Sequence, residues 1–361
     1  MRKNYLWIAA LATTMMTSCI YDNENDLLTA QQGQYSNEEV QIIASLGGNE
    51  ANTRGGNSLQ STSVTWTNLG IFAYKAGAAA PVTSATGVVG YDGYENIRVT
   101  GTDGTYTGTG NKLTTGTTMY FPLDNSDVDV FVYSPYSASY NRTTSPAFAP
   151  DVKAMSFTVQ DNQTIDDNYI ASDFIYGKGT ADKDGDQTAS VDMYHALSKM
   201  TFTIVEHEPG NASAISEIKL TGVYKTATIN MNAAVTSTGS PTTSGDFLSY
   251  GTNVTTTTTG TSGNVVVCDK TNDADIYTHA KSGVSAVIPP HPSAQLAGMK
   301  VEVTIDGVSR TTDIASTTLT ELKPGYSYNF NLTVKSDEVI VVVVSIKDWT
   351  STTTENRDLD F

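Results

Sequence analysis

Cysteine is almost missing from this chain: two of 361 residues, Cys19 and Cys268. No framework of disulfide bridges can be built within one copy. Histidine is nearly as scarce, and His195, His207, His279 and His291 form no HxH or HxxxH pair. With so few cysteines, they cannot complete a zinc set. Basic residues are short as well, 21 Lys and Arg against 38 Asp and Glu, for a net charge of −17. That balance excludes nucleic acid as a partner, because phosphates need a basic face. No run of eighteen apolar residues occurs, so no transmembrane helix is expected. No stretch of ten or more residues carries a 3.6-residue apolar stripe. GxSxG, Walker and GxGxxG contexts are absent, which leaves no motif for nucleotide binding or serine hydrolysis. Neither a cofactor nor a metal is expected, and the chain is not read as an enzyme.

What is present begins with an address. Arg2 and Lys3 precede a mostly apolar run from Tyr5 to Met16, then small Thr17 and Ser18, then Cys19. This is the layout of a secretory signal over residues 1–18. A cysteine directly behind the cleavage-site residues is the lipid acceptor of a bacterial lipoprotein. Residues 20–39 are polar, with Asp22, Glu24 and Asp26 close behind Cys19, and read as a tether. "EEVQIIASL" supplies one short strand with Val40, Ile42, Ile43 and Leu46. A Gly- and Asn-rich loop carrying Arg54 and Gly55 follows.

From residue 58 onward the pattern is β. "VTWTNLGIFAYK", "VDVFVYSPYS" and "KAMSFTVQ" are rich in Val, Thr, Tyr and Phe, which strands favour. Gly, Asn, Asp and Pro clusters recur at short spacing as turns. Many short strands predict β-sandwiches. The length suits two domains. The polar segment 177–190, "GKGTADKDGDQTAS", is the expected boundary, giving units at 55–180 and 186–361. Within it Asp182, Asp184 and Asp186 alternate as in a calcium loop. Gln187 and Met193 stand where that loop needs Gly and Glu, so a solvated acidic linker is the better reading. The closing run "EVIVVVVSIKDW" reads as a strand buried on both faces. Cys268, in "NVVVCDK", reads as a small buried apolar residue.

The order of segments resembles the fimbrillin family, the pilin subunits of type V pili in Bacteroidales. The resemblance rests on the Cys19 lipobox, "TRGG", "LGIFAYK", "VFVYSPYS", "SDFIYGKG", "VDMYHALSKMTFTIV", "AVIPP", "ELKPGYSYNFNLTV" and "VVSIKDWT", and covers nearly the whole chain. It implies an all-β fold of two transthyretin-like β-sandwich domains. It implies an outer-membrane lipoprotein, anchored through Cys19 and later part of a cell-surface fimbrium. A trypsin-like protease would cut between Arg54 and Gly55. That cut would release residues 19–54, including a plug strand with Val40, Ile42, Ile43 and Leu46. The opened groove would accept a strand from another pilus subunit. Donor candidates lie at the C-terminus: Val339, Val341, Val343, Ile346, Trp349, Leu359 and Phe361. A host protein or glycan would be a further partner. The alternative is a surface glycan-binding lipoprotein of a polysaccharide-uptake system, a class with exposed Trp and Tyr platforms for sugar rings; Trp66 and Trp349 read here as core or strand-end residues, so the nineteen Tyr carry that alternative.

Overall fold

The computed structural model describes residues 35–46, 68–78, 93–102, 111–141, 152–207, 215–233, 235–237, 248–249, 253–257, 262–315, 319–335 and 337–349. They form an all-β architecture with a few short helices. The strands begin with β1 (Tyr35–Glu39), β2 (Gln41–Leu46), β3 (Gly70–Lys75), β4 (Tyr94–Thr102), β5 (Asn111–Thr115), β6 (Tyr120–Pro122) and β7 (Val128–Ser134). Then come β8 (Met155–Thr158), helix α1 (Asp166–Ala171), β9 (Ile175–Ala181), β10 (Thr188–His195) and β11 (Ser198–His207). β12 (Ile215–Val223), β13 (Thr226–Ile229), β14 (Thr236–Ser237), β15 (Leu248–Ser249), β16 (Val254–Thr256) and β17 (Gly263–Asp269) follow. The chain finishes with helix α2 (Ile276–Ser282), β18 (Val284–Ile288), helix α3 (Ser293–Leu296), β19 (Lys300–Ile305), β20 (Val308–Asp313), β21 (Tyr326–Val334) and β22 (Val339–Asp348).

Seven strands close into a barrel in the order β10-β2-β5-β4-β3-β7-β9. A two-sheet sandwich was expected for this part. The barrel closes because β2 pairs along both edges, with β10 on one side and β5 on the other. Two four-stranded sheets, β18-β11-β21-β22 and β17-β12-β19-β20, form the later part of the chain, and a three-stranded sheet β16-β13-β8 joins them.

The wall made by β3, β7 and β9 explains why its sequence is apolar at nearly every position. Alternate side chains of a strand point to opposite faces. Ile71, Ala73, Val128, Val130 and Val132 face the barrel interior. Phe72, Tyr74, Phe131 and Tyr133 face the other way, into the core shared with the later sheets. There Tyr133 stacks on Phe174 at 5.8 Å, and Phe174 packs on Phe157 at 5.0 Å. Such ring pairs add to what burial alone supplies.

Residues 177–190 are not a linker. They form most of β9, a tight turn and the start of β10, and both strands belong to the barrel. Gly177 and Gly179 are there because β9 presses on β10: a Cβ added at either would collide with the backbone carbonyl of Asp192 or of Ser190. The acidic residues build the turn. Asp182 Oδ1 accepts the backbone N–H groups of Asp184 and Gly185, and Asp186 Oδ1 accepts that of Thr188. The chain leaves the barrel through Ala196 and Leu197, both fully buried, and enters β11 directly. The division at 180/186 fails a second time at β8, which lies before it in sequence but pairs with β13.

A second tie crosses the same joint. Trp349, just past β22, stacks on His195 at the end of β10, with ring centroids 3.8 Å apart and planes 8° from parallel. His195 Nδ1 lies 2.8 Å from Asp173 Oδ1. Both rings are buried.

Phe174 sits where the barrel wall meets the later sheets, so its truncation should weaken both. Phe174→Ala is expected to lower stability by about 3–5 kcal/mol, the usual range for a buried ring. Urea denaturation followed by circular dichroism measures it. A loss below about 1 kcal/mol, well under that range, would mean that the aromatic joint carries little of the fold.

Candidate functional site

The stretch "NEEVQIIASL" becomes β1 and β2 with almost no interruption. Val40, Ile42 and Ala44 alternate toward the barrel interior and are 7%, 2% and 0% exposed. Gln41 is exposed, and Ile43 and Ser45 are half-buried on the outer face. β2 runs parallel to β10, from Gln41 opposite Thr188 to Leu46 opposite Met193. On its other edge it runs antiparallel to β5, with Ile43 opposite Lys112 and Ala44 opposite Asn111. β2 is therefore the one hydrogen-bonded link between β10 and β5 among the described residues.

The floor beneath it is apolar. Leu113, Met119, Phe121, Ala189, Val191 and Met193 belong to the same buried cluster as Val40, Ile42 and Ala44. Burial of Val40 and Ile42 contributes about 3–6 kcal/mol, an upper bound. Each backbone hydrogen bond of β2 adds about 0.5–1.5 kcal/mol. Without β2 the molecule would present an open apolar groove flanked by two unpaired strand edges, a form prone to association.

β1 fastens the entry to this strand. It pairs with β6, and Val40 N–H donates to the Met119 carbonyl at 2.8 Å. Gln41 N–H donates to the Gln187 carbonyl at 3.0 Å. Tyr35 packs on Tyr94 with ring centroids 5.4 Å apart. Tyr94 hydroxyl accepts the Tyr120 N–H at 3.0 Å. Burial pushes the Tyr94 phenol well above its ordinary range, so it stays protonated. Lys183, in the β9–β10 turn, places its ammonium 2.7 Å from Glu38 Oε2. The same carboxylate oxygen accepts from the Gln187 side-chain amide.

Of the residues expected to form a plug, Val40 and Ile42 face the barrel interior. Ile43 does not, because neighbouring residues of a strand cannot share a face. Leu46 is paired with Met193, and its side chain lies outside the described residues. Ala44, passed over as small, is the third inward residue. The alternation starting at Val40 was the signal for it. Cys19, Arg54, Gly55, Leu359 and Phe361 also lie outside the described residues.

The remaining donor candidates occupy β22. It pairs with β21 along its whole length, from Val339 opposite Val334 to Asp348 opposite Tyr326. Val339, Val343 and Trp349 are buried in the chain's own core, and Val341 and Ile346 pack partly against it. Ile340 and Val342 point outward, 39% and 46% exposed. β22 is the edge of its sheet.

Elsewhere, Asp273 Oδ2 lies 3.3 Å from Cys268 Sγ and 2.6 Å from His279 Nδ1. The carboxylate stands between thiol and imidazole, so this arrangement does not set a base against a nucleophile. Cys268 is buried, as its apolar context implied. Among the described residues no group of three His, Cys, Asp or Glu side chains is gathered for a metal ion, and no helix is long and apolar enough to cross a membrane.

The facing of β2 can be checked by two substitutions. Ala44→Leu should overpack the barrel and cost about 1–3 kcal/mol. Ile43→Ser, on the half-buried outer face, should cost less. Thermal or urea unfolding of the two variants decides it, and equal losses would contradict the assigned faces.

Comparison with known proteins places these features. A family model described as fimbrillin-like matches residues 59–349. A candidate cell adhesion protein of Bacteroides uniformis superposes with a TM-score of 0.54 at 19% identity, covering 86% of this chain and 98% of that one. A candidate cell adhesion protein of Bacteroides ovatus gives a TM-score of 0.49 at 13% identity, covering 87% and 98%. A fimbrial assembly protein of Parabacteroides distasonis gives 0.45 at 12% identity, covering 86% and 98%. The first likeness concerns the fold alone, and the other two are too distant to carry an argument. A comparison with curated protein sequences found no match. The family match begins after β1 and β2 and covers the other six barrel strands and the later sheets: the chain belongs to the fimbrillin-like family.

Proposed function

We propose that this protein is a structural subunit of a cell-surface pilus that polymerises by strand exchange. The observation that carries the reading is the closure of the barrel by β2. A strand near the N-terminus fills a position that a strand from another chain can take by β-augmentation. In the precursor, Cys19 bears lipid and holds the protein at the outer membrane. Cleavage between Arg54 and Gly55 severs β1 and β2 from the rest of the chain. The barrel opens between β10 and β5, and a donor strand from a neighbouring subunit closes it again.

For donation to the groove of a different kind of subunit, the C-terminal region is the reading retained from the sequence, with the work falling to residues beyond Trp349, among them Leu359 and Phe361. β22 itself is committed to pairing with β21 and to burying Val339, Val343 and Trp349. Withdrawing it would strip the later sheets of a core strand. Trp349, read from the sequence as a core or strand-end residue, is buried against His195 and offers the glycan-binding alternative no exposed platform.

N-terminal sequencing of protein sheared from the cell surface tests the scheme. The expected start is Gly55 for wild type. Arg54→Ala should yield a folded monomer that keeps its N-terminal segment and forms no high-molecular-weight ladder. Ladders from that variant would show that cleavage at this site is not the trigger.

A further inference from the structure

The groove under β2 has a charged end as well as an apolar floor. Lys183 is 8% exposed, its ammonium lies 5.7 Å from the centroid of the Phe121 ring, and Glu38 meets it at 2.7 Å. Glu38 stands two residues ahead of Val40, the first of the three inward side chains. Departure of β1 and β2 would take that carboxylate away from the Lys183 ammonium at the groove's entrance. At the other end the position is small: Ala44 is fully buried, opposite Val191 of β10 and Asn111 of β5.

We propose that this groove reads its incoming strand by charge and size, taking one with an acidic residue two positions before two branched apolar anchors and a small third anchor. The proposal rests on the strand-exchange reading and adds the chemistry of the partner. The strand runs as β2 does, parallel to β10 and antiparallel to β5, so its acid falls on Lys183 and Gln187. Its occupant is a strand from a different subunit. The chain's own tail fails the test. With Leu359 and Phe361 in the places of Val40 and Ile42, Arg357 would face Lys183. The segment 338–344 has an acid at the right spacing, Glu338 before Ile340 and Val342, but brings Val344 to the place of Ala44. It also belongs to β22, already paired with β21.

The test uses the full chain with residues 50–54 replaced by the site of a sequence-specific protease. After cleavage, labelled peptides compete for the groove, and their incorporation is read by fluorescence anisotropy. The probes are residues 35–46, the same peptide with Glu38→Lys, and the tail 350–361. Residues 35–46 should enter. The Glu38→Lys peptide should bind at least about tenfold more weakly, because a lysine would then sit where Glu38 meets Lys183. The tail should not compete. In a chain carrying Lys183→Glu the order of the first two peptides should reverse. Equal binding of the unaltered and the Glu38→Lys peptides, or entry of the tail on equal terms, would overturn the charge code and leave strand exchange standing. Entry by no peptide at all would overturn strand exchange and the code together. The peptide variants leave the protein untouched, so the outcome stands even if Lys183→Glu fails to fold.

Discussion

A closed barrel has no edges, and this one is closed by the six residues of β2. β2 supplies the only ladder between β10 and β5 among the described residues, and its Ile42 and Ala44, with Val40 just ahead of it, complete the interior. That constraint makes the N-terminal segment structural and, under the proposed scheme, replaceable. It is structural because Thr188 to Met193 pair with it along their whole run, while β10 meets β9 in the ladder only at Tyr194 and His195. Under the proposed exchange it is also the strand to be replaced, since it precedes the remaining barrel strands in the chain. A strand in that position can leave without unthreading the fold.

The rest of the molecule supports the groove from behind. The β3–β7–β9 wall turns aliphatic side chains inward and aromatic ones outward, so one wall serves two cores. The aromatic joint and the stack of Trp349 on His195 tie this wall and the end of β10 to the later sheets. A barrel opened on one side would therefore keep a packed backing on the other. Close packing transmits little slack, and that backing is what would let an open groove persist long enough to meet a partner.

Much of this was legible in the sequence. Strands β3 and β7 announced themselves by their Val, Tyr and Phe content, β22 as a continuous apolar run and the segment around Val40–Leu46 as a short strand; the expectation that β22 is buried on both faces fails, because Ile340 and Val342 are exposed. Barrel closure was not legible, because it depends on residues 41–46 finding residues 188–193, far apart in the chain. Gly177, Gly179 and the three aspartates looked like a linker, since composition does not distinguish a flexible joint from a close strand crossing followed by an Asx-type turn. Ile43 was counted as a plug residue by its hydrophobicity, and Ala44 was missed by its small size. Strict alternation from Val40 would have corrected both. The Glu38–Lys183 pair spans 145 residues, and no local pattern points to it.

Amide hydrogen exchange along β10, before and after residues 1–54 are cut away and removed, tests the central claim most directly. If β2 is what closes the barrel, the amides of Thr188 to Met193 and of β5 lose protection when it leaves, while β11 and β21 keep theirs. Unchanged protection across Thr188 to Met193 would contradict the account, because another strand would then already be holding that edge.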